Sequence, residues 1–147
     1  MTHQARVRGL GVSVRGETST PVVILDVREE VVPIFISHDQ AQSIQQALEG
    51  TPFERPLTHD LFVDLLAEFG GAIDAVRIDG LADGTFLAKI DAVQYREGEP
   101  EVKTFDARPS DAIAIALRMD CPIEVASAVV DEAGRPASEF EMRTEDD

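Results

Sequence analysis

Val22-Val23-Ile24-Leu25-Asp26-Val27 and Val31-Val32-Pro33-Ile34-Phe35-Ile36 are two apolar, mostly β-branched runs with only Arg28-Glu29-Glu30 between them. Runs of this length and composition are typical of strands, and the short polar break predicts a β-hairpin. Pro33 has no backbone N–H to give to a sheet, so it marks an edge strand or a bulge.

Further strands are predicted on both sides of this hairpin. Residues 5–15 alternate loosely between apolar and polar side chains and form a first strand. Three more runs lie between Ile73 and Ala107, joined by turns at Asp83-Gly84 and at residues 96–100. Because short turns join antiparallel neighbours, this block predicts an antiparallel meander.

Two helices are marked by their ends or by their composition. Ser37 followed three residues later by Gln40 is a capping-box pattern, and the helix that it begins ends at Gly50. Another helix begins at Ser110, which is its predicted N-cap. Its body, residues 112–117, is apolar nearly all round, which predicts burial on most sides.

Periodicity adds a helix from Thr58 to Gly70-Gly71, and residues 127–133 can form a short fourth one. The predicted buried face of the helix after Thr58 consists of Leu61, Phe62, Leu65, Leu66 and Phe69. Strands in hairpins with three to four helices predict an α+β fold, built on a mainly antiparallel or mixed sheet.

A length of 147 residues fits a single domain. We assign residues 1–134 to this domain and residues 135–147 to an acidic, flexible tail. One cysteine, Cys121, excludes an intramolecular disulfide framework, and no apolar run is long enough to span a membrane. The N-terminal residues do not resemble a secretory signal, so the sequence predicts a cytoplasmic protein without a membrane partner.

The charge of the chain is strongly acidic. Asp and Glu total 28 against 13 basic residues, giving a net charge of −15, and Lys89 and Lys103 are the only lysines. Like charges repel and destabilise a compact chain, and molar salt screens this repulsion. The composition therefore favours a halophilic protein, with an acidic mesophilic protein as the alternative. It also argues against a non-specific grip on nucleic acid, which normally needs a basic surface.

Salt dependence follows from this charge. We expect the melting temperature to rise from dilute buffer to molar KCl, because screening weakens the repulsion among the excess carboxylates. Circular dichroism melting curves in a KCl series measure this. A melting temperature that stays flat across the series would contradict the halophilic interpretation.

Two short segments concentrate the polar chemistry, Arg55-Pro56-Leu57-Thr58-His59-Asp60 and Asp106-Ala107-Arg108-Pro109-Ser110-Asp111. Each lies at a helix start, where Thr58 or Ser110 can act as a cap. An aspartate in the first helical turn also stabilises the helix dipole. A purely structural role therefore explains both segments.

A functional role uses the same groups. His59 can act as a base or metal ligand, and Asp60, Asp106 and Asp111 are hard oxygen ligands suited to Mg²⁺ or Mn²⁺. Arg55, Arg108 and Ser110 can bind a phosphate at a helix start. The predicted catalytic residues are His59, Asp60, Asp106 and Asp111. Together the segments would suit metal-assisted phosphodiester hydrolysis, provided that they meet in space.

At these positions the chain resembles the bifunctional nuclease domain family over roughly residues 6–134. The motifs that carry the resemblance, in order, are Val31 to Ile36, Arg55 to Leu61, Asp83 to Ala88, and Asp106-Ala107-Arg108-Pro109-Ser110-Asp111-Ala112-Ile113-Ala114. The resemblance implies a compact α+β domain that self-associates as a homodimer or higher homo-oligomer. It also implies nuclease activity on RNA and DNA.

Two functions of different classes remain open on the sequence. The first is a nuclease assisted by a divalent metal. The second is a non-catalytic dimeric module that binds a partner protein or a small anionic ligand, in which the two segments are helix caps and interface contacts. The placement of Asp106 and Asp111 distinguishes them, because a catalytic pair must face one open cleft.

Overall fold

The computed structural model of the chain describes residues 1–50 and 55–140. In this part of the chain, eight strands and four α-helices form an α+β fold, which confirms the predicted class. The strands are β1 (Thr2–Arg15), β2 (Thr18–Val27), β3 (Glu30–Phe35), β4 (Gly71–Ala82), β5 (Thr85–Arg96), β6 (Glu99–Ala107), β7 (Ile123–Ala126) and β8 (Arg135–Pro136). The helices are α1 (His38–Glu49), α2 (Thr58–Glu68), α3 (Pro109–Met119) and α4 (Ser127–Ala133), followed by a 3₁₀ helix at Ala137–Phe140.

All eight strands belong to one sheet in the order β6-β5-β4-β7-β1-β2-β3-β8. Neighbours are antiparallel except for the parallel pair β4 and β7. The β2–β3 hairpin and the β4–β5–β6 meander are therefore confirmed. At the tip of the β4–β5 hairpin Asp83 and Gly84 both have positive φ, 51° and 79°. Asp-Gly favours this turn because glycine adopts positive φ without strain.

One face of the sheet packs against α1 and α3 to form the core. Residues Ala112–Ala116 of α3 are all buried, as predicted from the apolar body of this helix. The capping box at Ser37 is also confirmed, because Ser37 Oγ accepts from the Gln40 N–H while the Gln40 side chain accepts from the Ser37 N–H. Because α1 packs on both α3 and the sheet, it helps to hold α3 in place.

Two further features concern the edge formed by β3. Within residues 1–50 and 55–140, strand β8 pairs only with Glu30 and Val31 on the outer side of β3, so Pro33 has no strand partner there and lies at an edge as predicted. Residues 135–140, the first part of the predicted tail, form β8 and the 3₁₀ helix, and Ala137 packs on Val31. Residues 141–147 lie outside the described part of the chain.

The prediction of a buried face on α2 is wrong. No residue of this helix is buried, and Leu61, Phe62 and Leu65 are exposed, as is Phe69 just beyond its end. Leu66 alone among the predicted face packs on the core. The periodicity was that of an amphipathic helix, but α2 lies at the margin of the sheet, where nothing in the described chain covers it. Among the described helices, none combines the length and apolar character that crossing a bilayer requires.

Candidate functional site

The two polar segments of the sequence meet in the folded chain. His59, near the start of α2, and Asp111, in the first turn of α3, are 52 positions apart, yet His59 Nε2 and Asp111 Oδ1 are 2.8 Å apart. A carboxylate only accepts hydrogen bonds, so Nε2 carries the ring proton and donates it to Asp111. The convergence that the sequence left open is therefore present.

The other ring nitrogen of His59 is also occupied. Nδ1 lies 2.6 Å from the hydroxyl of Ser43, a buried residue of α1, and in the neutral ring it accepts the hydroxyl proton. With both nitrogens engaged, His59 has no lone pair directed at a substrate. It can act as a base or metal ligand only if one of these contacts opens.

Asp111 connects His59 to a guanidinium. Arg108 donates from Nε to Asp111 Oδ2 at 2.8 Å and from Nη2 to Oδ1 at 3.2 Å. Burial raises the pKa of the Asp111 carboxyl, but the hydrogen bonds from Arg108 and His59 outweigh it and hold the pKa below its usual value. Asp111 is therefore ionised at neutral pH and forms the centre of a Ser43–His59–Asp111–Arg108 chain.

The Arg108 and Asp111 end of this hydrogen-bonded chain lines an open cleft of about 780 Å³. Its walls come from the end of β3, the turn into β5, the end of β6 and the start of α3, and they include Asp106, Arg108, Ser110 and Asp111. A second cleft of about 350 Å³ contains Ser43 and His59 and shares Arg108 and Asp111 with the first. The Arg108–Asp111 pair thus lies between two clefts.

The start of α3 differs from the prediction at its cap. Arg108, rather than Ser110, is the N-cap residue, and its side chain makes no capping hydrogen bond. Pro109 is the first helical residue, which fixes the entry and places Ser110 in the first turn. The Ser110 hydroxyl is buried and has no hydrogen-bond partner among the described residues. A buried hydroxyl without a partner is unusual and costs stability.

Asp60 lies away from this cleft. Its Oδ1 accepts from Arg118 Nε at 2.6 Å and its Oδ2 from the Leu57 N–H at 2.9 Å, so it caps α2 and pairs with a guanidinium. Leu57, not Thr58, is the N-cap residue of α2. Arg118 is only 7% exposed and also donates to the carbonyls of Ala114 and Ser43. Asp60 and Arg118 therefore join the three helices behind the site.

The remaining predicted residues are more exposed. Asp106 lines the 780 Å³ cleft, but its side chain is 88% exposed and its Oδ1 lies 2.7 Å from Lys89 Nζ. Arg55 is exposed, three residues before α2, and it does not line either of the clefts that contain Arg108. Neither cleft therefore supports the predicted role of Arg55 in binding phosphate.

The predicted metal ligands do not form a fitting ligand set. Asp60, Asp106 and Asp111 each pair with a different cationic side chain, and only the last two share a cleft. Across residues 1–50 and 55–140, no three His, Cys, Asp or Glu side chains are grouped closely enough to hold a metal ion. The geometry gives no support to a centre built from these three carboxylates.

Acid should destabilise the fold through its paired carboxylates. The pKa of Asp91 is lowered by the Arg77 hydrogen bonds despite burial, and those of Asp60 and Asp111 are lowered because their hydrogen bonds outweigh burial. A carboxyl with a lowered folded-state pKa stabilises above its unfolded value, here 3.8, and this contribution is lost as the pH falls further.

We therefore expect melting temperatures at constant ionic strength to fall steeply below about pH 4. Asp91→Asn should lower the melting temperature at neutral pH, because the ion pair with Arg77 is lost. It should also make the melting temperature fall less in acid, because the variant has no carboxyl group at this position to protonate. An unchanged acid slope in this variant would contradict the assignment.

Two residues of the site were missed by the sequence analysis. Ser43 is a small polar residue within α1, a position that gives no signal by itself. Arg118 directly follows the apolar body of α3, residues 112–117, and it could have been noticed as a cation that needs a buried partner.

A sequence model of the bifunctional nuclease domain matches residues 22–138 of this chain. The matched region includes both polar segments and the whole of α3. The chain belongs to the bifunctional nuclease domain family.

Some relatives of this chain are named as nucleases, and others have names that state no activity. An uncharacterized protein of Mycobacterium tuberculosis (strain ATCC 25618 / H37Rv) is 40% identical over 130 residues, covering 87% of this chain and 75% of the relative. Bifunctional nuclease 2 of Oryza sativa subsp. japonica is 27% identical over 108 residues, and bifunctional nuclease 1 of Arabidopsis thaliana is 25% identical over 108 residues. Each plant alignment covers 71% of this chain and 33% of the plant protein. The bifunctional nuclease domain is thus one part of these longer proteins.

Proposed function

We propose that this chain hydrolyses phosphodiester bonds of RNA or DNA in the 780 Å³ cleft at the start of α3. Membership of the bifunctional nuclease domain family and the names of the plant relatives support nuclease activity for the domain. The observation that carries the placement is the hydrogen-bonded chain from Ser43 through His59 and Asp111 to Arg108. It connects His59 of the first polar segment to Asp111 and Arg108 of the second, and these last two residues line the 780 Å³ cleft.

Arg108 is the group that we assign to the phosphate. A guanidinium has five N–H donors, and Asp111 accepts hydrogen bonds from only two of them, one on Nε and one on Nη2 of Arg108. The Arg108 side chain is 67% exposed, so its remaining donors can reach a ligand in the cleft. Arginine binds phosphate oxygens in pairs, which orients the scissile group as well as holding it.

The first turn of α3 adds donors beside Arg108. The backbone N–H groups of Ser110 and Asp111 lie in the first turn, where no acceptor exists within a helix. The positive end of the helix dipole favours an anion there. The Ser110 hydroxyl rotates about a single bond, and a phosphate oxygen at this turn would give it the partner that the described chain does not.

Asp111 is the base in this proposal. While Arg108 and His59 hold it, its low pKa makes it a weak proton acceptor. A phosphate that draws Arg108 into the cleft removes the Arg108 hydrogen bonds, which lower this pKa more than the His59 hydrogen bond does, so the carboxylate becomes more basic when substrate binds. The attacking water then gives its proton to Asp111 as its oxygen bonds to phosphorus, and His59 keeps the carboxylate in place. The P–O bond to the leaving nucleoside oxygen breaks, and that oxygen takes a proton from solvent.

Assistance by Mg²⁺ or Mn²⁺ stays a prediction from the sequence, and the proton transfer above does not depend on it. We expect salt to increase the rate of this reaction, because a polyanionic substrate is repelled by a protein of net charge −15. Screening by molar salt reduces that repulsion.

The deciding experiment is a cleavage assay in molar KCl on single-stranded RNA and DNA, with Mg²⁺, Mn²⁺ or a chelator. Cleavage in any arm that is lost in Arg108→Met supports the proposal. Dependence on the metal would establish metal assistance, and cleavage in chelator would exclude a requirement for it. Absence of cleavage in every arm would overturn the nuclease proposal.

A second function is favoured by the pairing of the acidic residues. Asp60, Asp106 and Asp111 each form an ion pair with a cationic side chain, so their charges are neutralised without a metal ion or a substrate. A non-catalytic module would bind a small anion at Arg108 and leave it unchanged. Calorimetry with inorganic phosphate and a nucleoside monophosphate, alongside the cleavage assay, separates the two functions.

A further inference from the structure

The exposed side of α2 carries several apolar side chains that have no role in the proposed nuclease site. Leu61 and Leu65 are each 51% exposed, and Phe62 and Phe69 are exposed as well. Leu61, Leu65 and Phe69 recur about one helical turn apart and form an apolar ridge along α2, with Phe62 beside it. An amphipathic helix whose apolar side faces water signals a surface that is covered by another molecule.

The ridge continues onto the neighbouring sheet edge. Phe105 of β6 pairs with the core residue Ile90, so its side chain points to the same side of the sheet as the helices. Phe105 is more than half exposed, and a small groove of about 180 Å³ lies between it and Phe69. Leu66 forms the floor on the α2 side. We call the surface formed by Leu61, Phe62, Leu65, Phe69 and Phe105 the α2–β6 patch.

We propose that the α2–β6 patch is the surface through which two copies of this chain associate about a two-fold axis. Its five side chains leave on the order of 500 Å² of apolar surface exposed, a large share of the ~800 Å² that each partner buries in a standard interface. A patch of this size is at the upper end of what single soluble chains leave exposed.

The shape of the patch fits a second copy. The ridge follows the spacing of four residues along α2, and rows of this spacing pack into the matching groove of an identical helix. A two-fold axis brings the same patch of both chains together, so one self-complementary surface covers both copies. Strand β6 lies at the end of the sheet, and its outer edge in the described chain also becomes sheltered by such contact.

The charges around the patch also fit a second copy in salt. Lys103, one of two lysines in the chain, lines the groove on the β6 side, while Asp64 and Glu68 lie on α2. A two-fold arrangement allows each Lys103 to approach the acidic side of α2 in the other copy. The net charge of −15 per chain opposes association in dilute buffer, and KCl screens it.

The test is the mass of the protein in solution, measured by sedimentation equilibrium in a KCl series. We expect a dimer of twice 16.0 kDa in molar KCl and weaker association in dilute buffer. Leu65→Glu with Phe69→Glu should raise the Kd of self-association at least ~100-fold, because each introduces a charge at the centre of the interface. Phe105→Lys tests the β6 side independently.

Val14→Glu is the matched control, since Val14 is exposed to a similar degree on β1 and lies outside the patch. It should remain dimeric. The four replaced side chains are exposed in the single chain, so melting curves of all variants should resemble that of the original chain. A monomer in molar KCl would overturn the proposal, as would a dimer unaffected by the patch variants or broken equally by Val14→Glu. None of these readings depends on nuclease activity.

Discussion

Asp111→Asn should lower the rate of phosphodiester cleavage by at least ~100-fold, because a positioned acid–base group contributes about 10²–10⁴ to such reactions. The change keeps the shape of the side chain and one acceptor oxygen for His59, but it removes the negative charge that holds Arg108 and that would take the proton from water. The fold should lose only about 1–2 kcal/mol, since the pair with Arg108 is largely exposed. The measurements are initial cleavage rates in molar KCl and melting curves.

Asp26→Asn is the matched control for this prediction. Asp26 also pairs with an arginine, Arg8, at 2.8 Å, and it does not line the cleft. It should cleave at the original rate. Cleavage by Asp111→Asn at the original rate, together with a lowered melting temperature, would make Asp111 a structural residue of the helix start and remove the catalytic assignment.

Arg118→Met should lower the melting temperature by roughly 10 °C. Arg118 is 7% exposed and donates to Asp60 and to two backbone carbonyls, so its removal leaves the Asp60 carboxylate without its cationic partner and removes the link to α1. Breaking a buried ion pair from one side costs about 3–5 kcal/mol. Each kcal/mol corresponds to about 2–4 °C in a chain of this size.

Arg8→Met is the control for Arg118→Met, because Arg8 forms an ion pair of similar length at the surface, where such pairs contribute little. Combining Arg118→Met with Asp60→Leu removes both charges. The double variant should be less destabilised than the sum of the two single changes. Strict additivity, or an Arg118→Met protein as stable as Arg8→Met, would contradict the role of this pair.

Local features of the fold were largely accessible to sequence reasoning. The capping box at Ser37, the Asp83-Gly84 turn and the buried body of α3 all depend on residues close together in the chain. Backbone geometry and short-range hydrogen bonding decide such features, and the residue types report them directly. The cap of α3 was misplaced by two residues, because Pro109 can itself begin a helix and leaves Ser110 inside it.

The face of α2 shows where periodicity stops being informative. Its spacing correctly indicated an amphipathic helix, but periodicity cannot say whether the covering surface belongs to the same chain. In the described chain that surface is absent, and Phe69 is 79% exposed. The prediction failed because burial depends on where the helix lies relative to the sheet edge, which is a property of the whole topology.

The sequence by itself determined the order of most strands and helices before residue 135, the acidic character of the chain, and the two segments from which a site could be built. Only the tertiary structure decided which of their side chains meet. His59 reaches Asp111 because α2 and α3 pack together, and Asp60 turns instead to Arg118. Asp106 remains with Lys89 on the neighbouring strand. Contacts between residues distant in the chain follow from sheet order and helix packing, since one sequence position fixes a side chain's type but not the direction in which the fold points it.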